Sequence, residues 1–247
     1  MADSDSHWRR WGEDDPYFGV LSDQRFRRDE IEQNRDEFFA SGAAFVEERL
    51  AAAEQHCGPF TRHRALEFGC GVGRLTLPLA AAFDEVTALD IAPAMLAEAE
   101  RNALSEGQAN ICFALSDDSL SAARGRFNLV ITAIVFQHIP TKRGLLILQR
   151  LLDKVAPGGV AAIQLCTGRK DDFASRMRYW AQCNVPGIHE LVNLKRSRPV
   201  REPFMQMNAY PLDRVLAMAR AANFEDPLIR SYADGRFISA DLLMRRS

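Results

Sequence analysis

Three glycines, spaced Gly69-x-Gly71-x-Gly73, stand between the apolar run Arg64–Phe68 and a stretch of helix-forming residues. Glycines at such a turn let the backbone reverse sharply and approach a ligand closely, and the helix start beyond them offers unpaired N–H groups. Two carboxylates accompany the loop. Glu67 lies two residues before the first glycine, where it would repel a phosphate but suit an ammonium group. Asp90 ends the next apolar run, 21 residues beyond Gly69, where a carboxylate can accept both hydroxyls of a ribose. Arg74 occupies the position at which a dinucleotide-binding loop has its last glycine, so a pyrophosphate fits poorly. A tight strand–helix connection that binds nothing is the alternative for the glycines. An acidic residue preceding a helix start is the alternative for Asp90. Further along, His138 follows the apolar run ending at Phe136 and has the residue type of a general base, with an ordinary pKa of about 6.5. Ordering the next helix start or touching a cofactor would explain it equally. Tyr17, Tyr179, His189 and Tyr210 are weaker candidates for the same task.

These residues need a scaffold, and the chain alternates strand and helix patterns that supply one. Strands are expected at Arg64–Phe68, Val86–Asp90, Ile111–Leu115, Phe127–Phe136 and Val160–Cys166, with helices at Arg74–Phe83, Pro93–Glu106 and Thr141–Val155 between them. Such alternation makes right-handed βαβ units and a parallel sheet with helices on both faces. A helix at Pro211–Ala222 and a hairpin, Pro227–Tyr232 and Arg236–Met244 about Ala233-Asp234-Gly235, then add antiparallel strands. Residues 1–58 read as a helical arm or lid, with one short helix before residue 36 and a second helix from Asp36 to His56. Residues 59–247 read as the α/β domain, interrupted by a cap or substrate-side insertion at about 167–208.

Composition bounds the setting. Of 247 residues, 47% are hydrophobic and 26% charged, values of a globular chain. With 31 basic and 33 acidic residues the net charge is −2, so no nucleic-acid partner is expected outside a local basic patch. The five cysteines include no C-x-x-C pair, which disfavours a disulfide framework or a zinc knuckle and fits a reducing compartment. The polar start lacks a secretory signal, and no apolar run approaches the ~20 residues that span a bilayer. A cytoplasmic protein with no membrane partner and no metal is the expectation.

The segments LEFGCGVGR and VTALDIAPAML resemble motif I and the following acidic motif of class I S-adenosylmethionine-dependent methyltransferases. FNLVITAIVFQHIP and LLDKVAPGGVAAIQL resemble that superfamily's fourth and fifth strands, so the likeness covers residues 60–166 and, through the last helix and hairpin, 210–247. DPYFGVLSD together with FQHIP looks like a bacterial group of small-molecule methyltransferases. The resemblance implies a Rossmann-like seven-stranded sheet, mostly parallel with a C-terminal antiparallel hairpin strand. It also implies S-adenosylmethionine as cofactor, with S-adenosylhomocysteine as its product. It assigns Glu67, Gly69, Gly71 and Gly73 to the methionine part, Asp90 to the ribose, and Ile91 to the adenine face. Asp117, preferred over Asp118, takes the adenine amino group, and Ile134 to Gln137 lie near the reactive methyl. His138 is then the base for an oxygen or nitrogen acceptor. Trp11, Tyr17 and Phe18 are expected over the cofactor, with Tyr179, Trp180 or Met205 walling the acceptor pocket.

No Asn/Asp-Pro-Pro-Tyr/Phe, Pro-Cys pair or carboxylate stands at 129–139, which leaves a small-molecule acceptor. The arginines of residues 169–201 would suit an anionic acceptor, and keep RNA and carrier-bound substrates as alternatives. An NAD-dependent oxidoreductase would share the loop and Asp90, but this sequence lacks that family's last glycine and any Tyr-x-x-x-Lys pair.

Overall fold

The computed structural model describes residues 4–185 and 187–247, so Met1–Asp3 of the arm and Pro186 of the insertion lie outside the described residues. The arm is more helical than its sequence indicates, with α1 (Ser4–Asp14), α2 (Pro16–Val20), a 3-10 turn at Gln24–Phe26, and α3 (Ile31–Cys57). The α/β part follows as β1 (Arg64–Phe68), α4 (Thr76–Ala82), β2 (Glu85–Asp90), α5 (Pro93–Ser105), β3 (Ile111–Leu115), β4 (Phe127–Thr132), α6 (Thr141–Lys154) and β5 (Val155–Arg169). The insertion contains α7 (Phe173–Asn184) and α8 (Ile188–Lys195). The chain closes with α9 (Leu212–Ala221), β6 (Phe224–Asp234) and β7 (Phe237–Arg246). The strand order is β3-β2-β1-β4-β5-β7-β6. All pairs are parallel up to β5, and β7 then runs antiparallel to both β5 and β6. The order reverses between β1 and β4, which places a crevice beyond the carboxyl ends of those strands.

The strands are apolar on both faces because helices cover both. On one side Leu148, Leu151 and Leu152 of α6 and Val215 of α9 pack with Leu66, Val130 and Ile163. On the other, Val46, Leu50 and Ala53 of α3 and Leu79 of α4 pack with Ala65, Leu129 and Ala162. The arm thus divides into two parts, since α3 is a sheet-covering helix. Only the segment before it forms a separate layer, in which Trp11, Tyr17, Phe18 and Phe26 gather around Phe38, with Val72 and Met95 beneath. Phe38 is fully buried, and its ring meets those of Tyr17, Phe26 and Phe39 at centroid distances of 5.1, 5.2 and 5.3 Å. The polar sequence of α1 hides this layer, because its two tryptophans find their partners only in tertiary contacts.

Strand β4 is shorter than its apolar run, which continues to Phe136. It stops at Thr132 because Ile134 adopts a left-handed backbone with φ 61°. A β-branched residue there is strained, at a typical cost of about 1–3 kcal/mol. Phe136–His138 then form a 3-10 turn.

Phe38→Ala should cost about 3–5 kcal/mol of stability, because the cavity it leaves lies between two packed layers. Urea unfolding followed by circular dichroism measures this, and a loss under 1 kcal/mol would mean that the arm packs independently of the sheet.

Candidate functional site

The glycine loop turns at the end of β1, with Gly69, Gly71 and Gly73 all at positive φ. A side chain at Gly69 would collide with Val135, and one at Gly71 with Val20 of the arm, so the loop is pressed between two walls. The N–H groups of Gly69 and Cys70 both donate to the Leu89 carbonyl, at 2.7 and 3.0 Å, which ties the loop to β2. Asp90 sits at that junction. Its two carboxylate oxygens accept the Gly71 and Ala92 N–H groups, each at 2.9 Å. Burial raises its pKa despite those hydrogen bonds.

Glu67 is buried and accepts the Thr76 hydroxyl at 2.6 Å. Desolvation pushes its carboxyl up to about 7, against the opposing pull of Thr76 and of the nearby Arg74 charge. Arg74 is buried as well. Among the described residues its one hydrogen-bond partner is Ser41, at 3.4 Å from Nη1, and its Nε has none. A half-ionised carboxyl and an under-satisfied guanidinium, side by side at one cavity wall, are complementary to a zwitterionic amino acid group. Arg74 entered the sequence reading only as a glycine that was missing, although its type and position beside Glu67 could have indicated this pairing.

The third wall is the end of β4. Ile134 donates its N–H to Gln164 Oε1 at 2.6 Å, and Gln164 in turn hydrogen-bonds Tyr232 of the C-terminal hairpin. Beyond it lies His138, buried, with Nδ1 2.7 Å from the Gln206 carbonyl oxygen. That acceptor requires the proton on Nδ1 and leaves Nε2 with the lone pair. Desolvation lowers the imidazole pKa to about 4, well below the ordinary value expected from sequence, with the Gln206 bond opposing the shift.

These walls enclose a cavity of about 940 Å³, part of it open to solvent. Glu67, Gly69, Gly71, Asp90, Ile91, Asp117, Ile134 and His138 all line it. Other residues expected there do not. Gly73 faces Ala99 of α5, and the Gln137 carbonyl is taken by Asn208 at 2.6 Å. Trp11 is sealed in the arm's own core, and the Tyr17 hydroxyl donates to Glu98 at 2.6 Å while accepting from Arg35 at 2.8 Å. Phe18 likewise stays in the arm core, beneath Arg27 at 3.4 Å from the ring centroid.

The arm reaches the cavity through other residues, namely Ser4, Asp5, Trp8, Gly19 and Val20. Trp8 lies on His138 with ring centroids 4.6 Å apart. Asp5 forms a two-pronged ion pair with Arg143 of α6, at 2.6 and 2.9 Å, and Arg143 also holds Asp118 at 2.7 Å. Asp117, beside it, is bound by Ser119 and Ser121, which hold its carboxyl well below the usual range.

The insertion does not wall the cavity. The Tyr179 hydroxyl accepts the Met207 N–H at 2.7 Å, Trp180 faces solvent, and Met205 packs on the arm. Residues 201–208 instead run as a strap between arm and cavity. Arg10 donates to the Arg201 carbonyl, Arg27 pairs with Glu202 at 3.1 Å, and Gln206 holds His138. The weaker candidates are occupied too. His189 bonds the Glu202 carbonyl, and buried Tyr210 donates to the Ile139 carbonyl at 2.8 Å.

The sequence model of the methyltransferase-domain family matches residues 65–159, which contain the glycine loop, Asp90 and His138. Residues 65–159 thus match a methyltransferase domain, and the chain has the fold of S-adenosylmethionine-dependent methyltransferases of known structure. It is 36% identical over 91 residues to a malonyl-[acyl-carrier protein] O-methyltransferase of Paenibacillus sp. (strain JDR-2), covering 35% of this chain and 33% of that one. It is 32% identical over 116 residues to a ubiquinone biosynthesis O-methyltransferase of Cereibacter sphaeroides (strain KD131 / KCTC 12085), covering 47% and 46%. The likeness thus spans between a third and a half of these curated relatives. Solved structures share the fold over the whole chain. The N-methyltransferase NodS of Bradyrhizobium japonicum WM9, in complex with S-adenosyl-L-homocysteine, has a TM-score of 0.60 at 14% identity, with 98% of each chain covered. Magnesium protoporphyrin IX methyltransferase of Synechocystis PCC 6803, with S-adenosylmethionine bound, has a TM-score of 0.57 at 18% identity, covering 100% of this chain and 99% of that one.

In this chain Glu67 and His138 act on stability with opposite signs. Folded His138 titrates at about 4 against 6.5 for the free side chain, so the unfolded chain binds more protons and stability falls as pH drops through that window. Folded Glu67 titrates at about 7 against 4.5, so stability rises over nearly the same window. His138→Gln removes one of the two. Between pH 7 and about 5 the variant should gain about 2 kcal/mol relative to wild type, measured by urea unfolding at each pH. Parallel curves for the two proteins would show that His138 is already charged in the native state.

Proposed function

We propose that the chain methylates an oxygen or nitrogen of a small-molecule acceptor, using S-adenosylmethionine bound between the glycine loop and Asp90. The observation that carries this reading is the juxtaposition of Glu67, Arg74 and Asp90 around one cavity with His138 at its far wall. When bound, S-adenosylmethionine supplies a methyl group on a positively charged sulfur. The Glu67 carboxylate meets its ammonium group, and Arg74 meets its carboxylate. Asp90 has two oxygens that each accept one backbone N–H and retain capacity for the ribose hydroxyls. Ile91 covers the adenine, and Asp117 is the polar group near its rim. Oxygen is the acceptor atom in the names of both curated relatives, which favours a hydroxyl or carboxyl acceptor.

Transfer forms the bond from methyl to acceptor as the sulfur–methyl bond breaks, and a hydroxyl or ammonium acceptor gives up one proton. Nε2 of His138 carries the lone pair that receives it, since Nδ1–H is fixed by the Gln206 carbonyl. Burial keeps this ring neutral at physiological pH, so it is always available but a weaker base than a free histidine. Trp8, Val20, Val135 and Ile139 line the same space and keep water from the reacting atoms. Residues 4–26 are the roof in this reading, and the strap 201–208 holds it against His138. The basic insertion stands outside the cavity, which weighs against RNA or a carrier-bound substrate recognised there. The antiparallel β7 and Arg74 in the glycine loop weigh against a nicotinamide cofactor.

Asp90→Ala should weaken S-adenosylhomocysteine binding roughly 10–150-fold, as expected for losing hydrogen bonds to a charged acceptor. Calorimetry checks it, and unchanged affinity in a folded variant would remove Asp90 from the site. NADH binding with no affinity for S-adenosylhomocysteine would overturn the proposed function altogether.

His138→Gln should lower turnover about 10²–10⁴-fold with cofactor affinity nearly unchanged. The wild-type kcat should be flat from neutral pH downward and fall only near pH 4, where the ring takes up a proton. An acid limb near 6.5 would mean that the base is a solvated group elsewhere.

A further inference from the structure

The insertion is unusual in what it leaves uncovered. Helix α7 has no buried residue, and α8 buries only Asn193. Phe173, Met177 and Trp180 follow one another at helical spacing on one side of α7, and Phe173 and Trp180 are 78% and 55% exposed. Leu191 and Leu194 of α8 are 61% and 64% exposed. Large apolar side chains clustered in this way mark an interaction surface. Residues 169–201 carry eight basic and three acidic side chains in a chain whose net charge is −2. Among the described residues Arg176, Lys195 and Arg196 form no ion pair, so their charge is free to act outward.

We propose that α7 and α8 seat this protein on an anionic lipid bilayer, with the apolar stripe in the headgroup layer and Arg176, Lys195 and Arg196 at the phosphates. Tryptophan, phenylalanine and leucine on one side with arginine and lysine at the margin is the composition of helices that lie in a membrane interface. The charge selects this occupant over a second copy of the chain, because two copies meeting here would set basic patches against each other. The sequence argues against a membrane partner only in that no apolar run in it is long enough to span a bilayer. Among the described residues no helix is long and apolar enough to cross a bilayer, and a surface-seated pair does not require it. The strap 201–208 follows α8 in the chain and holds both His138 and the arm. The proposal does not depend on the identity of the acceptor.

Flotation of the full chain with phosphatidylcholine vesicles, with and without phosphatidylglycerol, tests it. Binding is expected only with phosphatidylglycerol. Lys195→Gln with Arg196→Gln should weaken it roughly 30-fold, at about fivefold for each charge near an anionic surface. Phe173→Ser with Trp180→Ser should weaken it at least tenfold while circular dichroism and S-adenosylhomocysteine affinity stay as in wild type. Absence of binding at low salt would overturn the proposal, as would binding that the serine substitutions leave intact. Equal affinity for soluble polyglutamate and for vesicles would overturn it in favour of an acidic macromolecule. Concentration-dependent dimers abolished by the serine substitutions would overturn it in favour of self-association.

Discussion

Two carboxylates at the ends of adjacent strands, Glu67 buried and Asp90 half-buried, are the constraint on which the rest of the site depends. Glu67 and Asp90 lie beneath the same glycine loop, and each needs local compensation to stay charged. Asp90 obtains it from the Ala92 N–H two residues on and from the Gly71 N–H, which the turn aims at it with Gly71 at positive φ. Glu67 obtains less, from one hydroxyl and a neighbouring guanidinium that is itself short of partners. The site therefore holds an internal electrostatic deficit that a ligand with an ammonium group, a carboxylate and two hydroxyls would fill.

The remaining walls repeat that logic with apolar groups. Val135 and Val20 press on the loop from two sides, and the strained Ile134 is held by Gln164, which also touches the C-terminal hairpin through Tyr232. The sheet edge is thus coupled to the reacting end of β4. His138 is kept neutral by its surroundings and kept in one tautomer by a backbone carbonyl, so its state does not vary with modest changes of pH.

The sheet was legible in the sequence because its signals are local. Arg64–Phe68 and Ile111–Leu115 occur as strands with the limits that their apolar runs define. Glu67, Asp90 and the glycines could likewise be found, since their types and spacing state their geometry. What could not be read was long-range. Trp11 and Tyr17 look like cofactor-covering aromatics in a polar segment, yet they pack around Phe38, while Trp8 and Val20 face the cavity. Nothing local separates Trp8 from Trp11, because the difference is which face of α1 turns to the cavity and which to the arm's own core. The end of β4 was misjudged for a similar reason, as a run of apolar residues does not reveal one left-handed backbone. The basicity of His138 was misjudged because desolvation is a property of the fold and not of the residue.

The pairing of Asp5 with Arg143 joins positions 138 residues apart, and the bond from Arg10 to the Arg201 carbonyl joins positions 191 apart, so the cavity roof closes long loops. Closing so long a loop is entropically costly and offers little in return until the sheet and α6 already exist. The roof therefore assembles on a finished floor. The same topology makes it the natural unit of partial opening: α1 can detach by giving up the Asp5–Arg143 ion pair, the bonds of Arg10 and His7 to the strap and the packing of two tryptophans, with every strand of the sheet still paired. Access to the cavity is then set by a local equilibrium of one short helix, far below the free energy that holds the domain together.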